Sequence, residues 1–269
     1  MALKSVMATA CFGAVAFCVS GCCSNRSVVS LEMRESNGYF QVYKLDTYRS
    51  APEQSTTDQE IVTENKIDSG GAIAISPSHI LLTDHQVPMD WSSIQLGELV
   101  KAQSKVISSG EFLDSVDGVG DSRLGWELRA IDPPIGQEYV AELADPDGLE
   151  VGSECFIPTS ARWFGYLNPD QCTAEEKARL FVRGRMVDID EDPYGNLVKP
   201  FLSDDRFAIK VEAALQIQGS SGFPVLIQGN TQKEQLVIGL VLASVHSPPH
   251  DFTWIVAMKI PQEAVNVRP

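Results

Sequence analysis

Three observations predict an all-β chain. Short apolar runs recur between turn residues from Gly70 onward. The chain holds 20 glycines and 15 prolines, which favour turns over long regular elements. No apolar pattern with a helical period extends over a long stretch of the sequence. Short strands at this spacing are typical of a sandwich or a barrel.

The predicted strands begin after a polar N-terminal region. From Ser24 to about Ser69 the chain is polar, apart from one alternating segment between Tyr39 and Leu45. We therefore expect residues 22–69 to form a tether and an N-terminal segment outside the main domain. The apolar runs predicted as strands lie at residues 72–75, 80–82, 126–131, 155–157, 180–187, 207–215, 224–227, 236–245 and 252–258.

Length and charge limit the kinds of protein that this chain can be. Its 269 residues are enough for one large domain or two small ones. Apolar residues make up 43% and charged residues 21%, which excludes a disordered tail or a coiled coil. The formal net charge is −15, and such a surface repels phosphate backbones. Nucleic acid is therefore not an expected partner.

The first residues resemble an export signal. Lys4 is the only charged residue before Arg26, and an apolar run occupies residues 6–19. The run ends in Ser20-Gly21-Cys22, which resembles the lipobox of bacterial lipoproteins. This resemblance implies removal of residues 1–21, a diacylglycerol on Cys22 and attachment to a membrane of the cell envelope. A simple membrane anchor or an uncut signal is the alternative interpretation.

The cysteines are consistent with an exported chain. Cys155 and Cys172 are the cysteines that remain in the folded part. An oxidising compartment permits a disulfide between them, and closing that loop would contribute ~3 kcal/mol. Two separate buried thiols are the alternative, and the sequence does not decide between them.

Two distant segments carry the features of a catalytic site. The first is GGAIAISPSHILLTDHQV, residues 70–87, and the second is VEAALQIQGSSGFPVL, residues 211–226. In the second, the glycines at Gly219 and Gly222 enclose two serines in a tight turn. Such a turn can direct backbone N–H groups at one point beside a hydroxyl, which activates a serine and stabilises an oxyanion.

Together the two segments resemble the trypsin-like serine peptidases, especially the HtrA-type catalytic domain. That family reads G-S-G-x-x-x-S-P-x-G-x-I-x-T-x-x-H-V at the first motif and D-A-x-x-x-x-G-N-S-G-G-P at the second. Weaker similarities follow in family order at residues 149–158, 238–240 and 255–261. The resemblance implies two six-stranded β-barrels with the active site between them, formed by residues 70–269.

The resemblance also implies which residues form the site. Ser221 matches the nucleophile, and the N–H groups of Gly219 and Ser221 would form the oxyanion hole. Ser220 replaces the usual Asp or Asn, and Phe223 replaces a second glycine.

The base and the acid match the family pattern less well. An ungapped match places Gln86 on the family histidine, and a slip of one residue makes His85 the base. Gly125 stands where the family has aspartate. Asp121, expected on a loop just upstream, is the candidate acid, and Glu127 is the other.

Two functions therefore stay open. The first is a lipid-anchored endopeptidase that acts on peptides or unfolded proteins. The resemblance implies that residues 213–217 line its side-chain pocket. Because they include no acid, a preference for small or apolar side chains is expected. The second is an inactive barrel pair, a pseudoprotease that binds peptides or envelope proteins. No cofactor or metal is expected. The acids of residues 188–196 begin like a calcium loop, but Lys199 stands where the chelating Glu should be, which favours an acidic turn.

Overall fold

The structure, a computed structural model, describes most of the chain downstream of residue 27. The described residues are 28–30, 38–50, 61–83, 92–97, 99–110, 113–116, 119–123, 125–144, 150–158, 180–213, 220–229, 235–246 and 251–268. Within these ranges there are fifteen strands and one short α-helix.

Nine strands belong to the first half of the chain. They are β1 (Val28–Ser30), β2 (Tyr39–Ser50), β3 (Ile61–Ser76), β4 (His79–Thr83), β5 (Ser93–Leu96), β6 (Val100–Gly110), β7 (Leu113–Val116), β8 (Val119–Arg123) and β9 (Trp126–Asp132). Six of them close into an antiparallel barrel in the order β2-β3-β4-β9-β6-β5. Strands β7 and β8 form a separate two-stranded hairpin between β6 and β9.

The second half supplies six more strands and the helix. They are β10 (Glu154–Pro158), β11 (Leu180–Met186), β12 (Arg206–Val211), β13 (Pro224–Gln228), β14 (Gln235–His246), β15 (Thr253–Lys259) and α1 (Gln262–Asn266). The sheet order is β1-β11-β10-β13-β14-β15-β12, and β11 also pairs with β12. This extra pairing closes the six strands β10, β11, β12, β13, β14 and β15 into a ring, and β1 pairs with β11 outside it. The prediction of an all-β chain with two six-stranded barrels is confirmed.

The strands between the two barrels are buried on both faces. In β3, Ala72 and Ala74 pack inside the first barrel, whereas Ile73 and Ile75 join a cluster shared by the two barrels. Strand β15 contributes the fully buried Trp254 to the same shared cluster. Strands that are covered on both faces have continuous apolar sequences, so these strands could be predicted from the apolar runs.

The first barrel starts earlier than Gly70. Strand β2 pairs with β3 from Tyr39 to Ser50, and β3 itself begins at Ile61. The expected domain boundary therefore lies inside a barrel strand, and the expectation of a tether up to residue 69 is wrong for these strands. The physical reason is that main-chain pairing forms a ladder with polar side chains as well as with apolar ones.

Candidate functional site

Ser221 lies in a tight turn that leads into β13. Its neighbours Ser220, Gly222 and Phe223 are buried, whereas Ser221 is half-buried. Gly222 adopts a φ of 81°, in the left-handed region that favours glycine. The Gly222 N–H donates to Val241 O at 2.9 Å, and the Phe223 N–H donates to Ser220 O at 3.1 Å. The turn is thus fixed to β14 and presents a single serine at its surface.

The same turn contacts the first barrel directly. The Gly71 N–H in β3 donates to the carbonyl oxygen of Ser221 at 2.9 Å. A Cβ added to Gly71 would lie 2.6 Å from the Phe223 nitrogen, and one added to Gly222 would lie 2.1 Å from Gly71 O. Two main chains therefore meet at glycines, and Ser221 lies at the junction of the two barrels.

Phe223 fills the junction beside the serine. Its side chain is buried, and its ring meets the Tyr39 ring of β2 edge-on, with centroids 6.1 Å apart at 76°. A Cβ added to Gly71 would also lie 2.7 Å from Phe223 Cγ, so the missing side chain at Gly71 leaves space that Phe223 occupies.

We expect Gly71 and Phe223 to be energetically coupled. Gly71→Ser should cost about 2 kcal/mol of unfolding free energy through overpacking, and Phe223→Gly about 3–4 kcal/mol through a cavity. The double substitution should cost about 1 kcal/mol less than the sum, because the added Cβ no longer meets the ring carbon at 2.7 Å, whereas its contact with the main-chain nitrogen of residue 223 at 2.6 Å persists. Urea unfolding of the four proteins measures this, and strict additivity would contradict it.

The base and the oxyanion groups are only partly within the described residues. Strand β4 ends at Thr83, which pairs with Trp126, and β4 lies beside β14 at the barrel junction. His85 comes two residues after Thr83. Both His85 and Gly219 lie outside the described residues. Their roles stay predictions, although β4 ends on the side of the first barrel that faces the second.

The candidate acids have different surroundings. Glu127 is buried, and its Oε2 accepts from Arg129 Nε at 2.6 Å. Glu127 pairs with Leu82, whose side chain packs inside the first barrel, so the Glu127 side chain points into that barrel and away from Ser221. Asp121 belongs to β8, so its expected position on a loop is wrong.

Within the described ranges, one edge of β14 is open beside the serine. Strand β13 pairs with β14 only as far as Leu240, whereas β15 continues along β14 to His246. Among the described strands, none pairs with Leu242–His246 on the β13 side. An extended peptide can add to such an edge through main-chain hydrogen bonds.

Two carboxylates of the acidic turn, residues 188–196, each accept a hydrogen bond from a lysine outside the turn. Lys199 Nζ donates to Asp190 at 2.8 Å, and Lys210 Nζ donates to Asp192 at 2.8 Å. Nothing in the sequence indicated the second pair, because Lys210 and Asp192 are 18 positions apart. Within the described ranges, no group of three or more His, Cys, Asp or Glu side chains is placed to hold a metal ion.

Cys155 is buried inside the second barrel and forms no disulfide with another described residue. Burial raises the pKa of this thiol to about 12. Cys172 lies outside the described residues, so a disulfide between the two stays a prediction.

The buried thiol should be chemically inert in the folded protein. With a pKa of about 12, roughly one Cys155 thiol in ten thousand is ionised at pH 8. We expect no alkylation of Cys155 by iodoacetamide until the chain is denatured, and full alkylation afterwards without a reductant. Peptide mapping measures this. A peptide of Cys155 that needs a reductant before it reacts would instead show the disulfide.

The described residues also bear on membrane attachment. Cys22 lies outside them, and no helix within them is long and apolar enough to span a bilayer.

Comparison with known proteins shows little similarity in sequence. No family model matches the chain, and no curated protein matches it. Among solved structures the chain is similar to an HtrA-type protease, AlgW, determined with a decapeptide, at 16% identity and a TM-score of 0.48. The match covers 87% of this chain and 64% of the AlgW chain, so this chain spans less than two thirds of the length of that protease.

Proposed function

We propose that this chain is a lipid-anchored serine peptidase of the trypsin-like fold, which hydrolyses peptide bonds through Ser221. The observation that carries the proposal is the position of this serine. It is the half-buried residue of a turn whose neighbours are buried, and it lies where the two barrels meet. A serine at the junction of two rigid barrels can receive groups from both of them.

The proposed mechanism assigns one step to each group. Ser221 Oγ attacks the peptide carbonyl carbon while His85 accepts its proton, and His85 later gives that proton to the leaving amine. The N–H groups of Gly219 and Ser221 stabilise the oxyanion. Asp121 holds the imidazole in the tautomer that can accept the proton. Water then releases the acyl group by the same steps.

The open edge of β14 supports a peptide as substrate. A peptide that pairs with Leu242–His246 runs beside the turn that holds Ser221. We propose that this substrate is an exposed or unfolded polypeptide with a small or apolar residue before the cleaved bond.

Peptide binding without catalysis is the second candidate function, and one observation favours it. Gly125 occupies the position of the family acid, and the nearby Glu127 is held inside the barrel by Arg129. Unless Asp121 supplies the carboxylate, His85 lacks an orienting acid, a loss that costs ~10⁴ in kcat in such triads. The same open edge would then serve to hold a peptide.

A fluorophosphonate probe distinguishes the two functions, and the adjacent serine provides the control. Ser220 is 2% exposed and its hydroxyl has no partner among the described residues, so Ser220→Ala should leave the fold unchanged. If the protein is an active enzyme, the probe labels the wild type and Ser220→Ala, does not label Ser221→Ala, and labels His85→Ala slowly. A folded wild-type protein that is not labelled supports the binding function.

We also propose that a lipid on Cys22 anchors the chain. Cys22 precedes β1 by six residues, and a chain of that length reaches at most about 20 Å. Because β1 pairs with β11, the anchor would hold the second barrel close to the membrane. Detergent-phase partition of the expressed protein that disappears in Cys22→Ala would support this. Partition retained in that variant would contradict it.

A further inference from the structure

Lys210 lies in an aromatic enclosure on the outside of the second barrel. Its Nζ is 4.7 Å from the ring centroid of Phe252, 5.5 Å from that of Trp254 and 5.7 Å from that of Tyr194. The same ammonium donates to Asp192 Oδ2 at 2.8 Å. The side chains of Lys210 and Asp192 are 17% and 9% exposed. A cation shielded in this way interacts with rings and carboxylate more strongly than an exposed one.

The ionisation of Asp192 reflects this contact. Burial raises the pKa of the Asp192 carboxyl, but the hydrogen bonds from Lys210 and from the Tyr194 N–H outweigh this effect. The pKa of Asp192 therefore lies below its ordinary value, and the pair stays charged at neutral pH.

A second ion pair, between Lys199 and Asp190, differs from the Lys210–Asp192 pair mainly in its exposure to solvent. Lys199 and Asp190 also meet at 2.8 Å, but their side chains are 59% and 72% exposed. Exposed pairs of this kind contribute little to stability. Asp190, Asp192 and Lys199 lie in the connection between β11 and β12, residues 187–205, and Lys210 lies in β12 itself, so the two pairs can be compared directly.

At its other end this connection reaches the β7–β8 hairpin. The 3₁₀ turn Lys199–Phe201 lies against β7, the first strand of the β7–β8 hairpin. Phe201 O accepts from Arg206 Nη1 at 2.9 Å, and Val198 is fully buried in the shared cluster. The connection therefore links the Lys210 enclosure to the hairpin that carries Asp121.

We propose that Lys210 is a positioning residue for the site. By holding Asp192 against the second barrel, it keeps the connection in place, and the connection supports the β7–β8 hairpin from the side of the second barrel. The hairpin is the element that must hold Asp121 still. The catalytic consequence rests on the proposed peptidase function, whereas the mechanical link between Lys210 and the hairpin does not.

Hydrogen exchange of the full chain tests the mechanical link. In Lys210→Met, amide exchange should rise roughly tenfold both in residues 187–205 and in residues 113–123. Asp190→Asn, the control, breaks the exposed pair without changing the 3₁₀ turn and should leave both segments unchanged. Faster exchange in the connection alone, or the same pattern in Asp190→Asn, would overturn the proposal.

Turnover tests the catalytic consequence. With active sites counted by fluorophosphonate titration, kcat of Lys210→Met should fall roughly ten- to a hundredfold while KM changes little. Lys210→Arg, which keeps the charge and stacks on aromatic rings, should restore kcat. A fall in the number of titratable sites with kcat per site unchanged would show a merely structural role and overturn the proposal. If the wild-type protein has no activity, the peptidase function fails, and hydrogen exchange still decides the mechanical link.

Discussion

Gly222→Ala is expected to lower the free energy of unfolding by about 3–4 kcal/mol and to abolish fluorophosphonate labelling of Ser221. Two costs add up at this position. The φ of 81° is unfavourable for any residue with a Cβ, and the new Cβ would lie 2.1 Å from the carbonyl oxygen of Gly71. Because that oxygen belongs to a barrel strand, the turn must move, and Ser221 moves with it. Urea unfolding and probe labelling measure the two effects.

Gly152 provides the control that separates strain from overlap. Its φ is 92°, but a Cβ added there meets nothing within 4 Å. Gly152→Ala should therefore cost only the backbone strain, about 1–2 kcal/mol, and leave the labelling of Ser221 intact. Equal costs for the two alanine variants would mean that the contact between Gly222 and Gly71 is unimportant for the fold.

Arg129→Met is expected to destabilise the chain by about 3–5 kcal/mol. Arg129 is fully buried, and its Nε donates to Glu127 Oε2 at 2.6 Å while its Nη1 donates to Ser104 Oγ at 3.2 Å. Removing the guanidinium leaves a buried carboxylate without its cation inside the first barrel. Urea unfolding at pH 7 measures the loss.

The double variant shows whether the loss comes from the stranded carboxylate. Replacing both Glu127 and Arg129 by apolar residues, as Glu127→Leu with Arg129→Met, should recover most of the stability, because no charge then stays buried. If the double variant is as unstable as Arg129→Met alone, the pair contributes through packing and hydrogen bonding rather than through charge.

Strands with apolar sequences could be predicted, and strands with polar sequences could not. β4, β9 to β15 and the last residues of β3 coincide with the apolar runs, because they are covered by the other barrel or by the barrel interior, whereas the part of β3 before Gly70 was missed. β6 was missed, since its sequence VKAQSKVISSG has alternate residues exposed and carries lysine, glutamine and serine. β5, β7 and β8 are short and have no continuous apolar run, and they are held by main-chain pairing, β5 with β6 and β2 and β7 with β8.

The site shows the same division at the level of single residues. The glycines around Ser221 predicted a tight turn there, because a turn with an apical hydroxyl has a recognisable composition. The sequence around Gly125 left Asp121 and Glu127 as alternative acids. Only the strand register turns Glu127 into the barrel, toward Leu82 and Arg129.

The amino-acid sequence by itself determined the strand content, the order of the two motifs and the serine around which a site could form. These features depend on local composition, on turn chemistry and on the period of two along a strand. Tertiary structure alone decided that Gly71 leaves room for Phe223, that Glu127 is bound to Arg129, and that Lys210 meets Asp192 among three rings. Each of these depends on which face of a strand is covered and by what, and residues far apart in the chain set that only once the barrels have closed and packed.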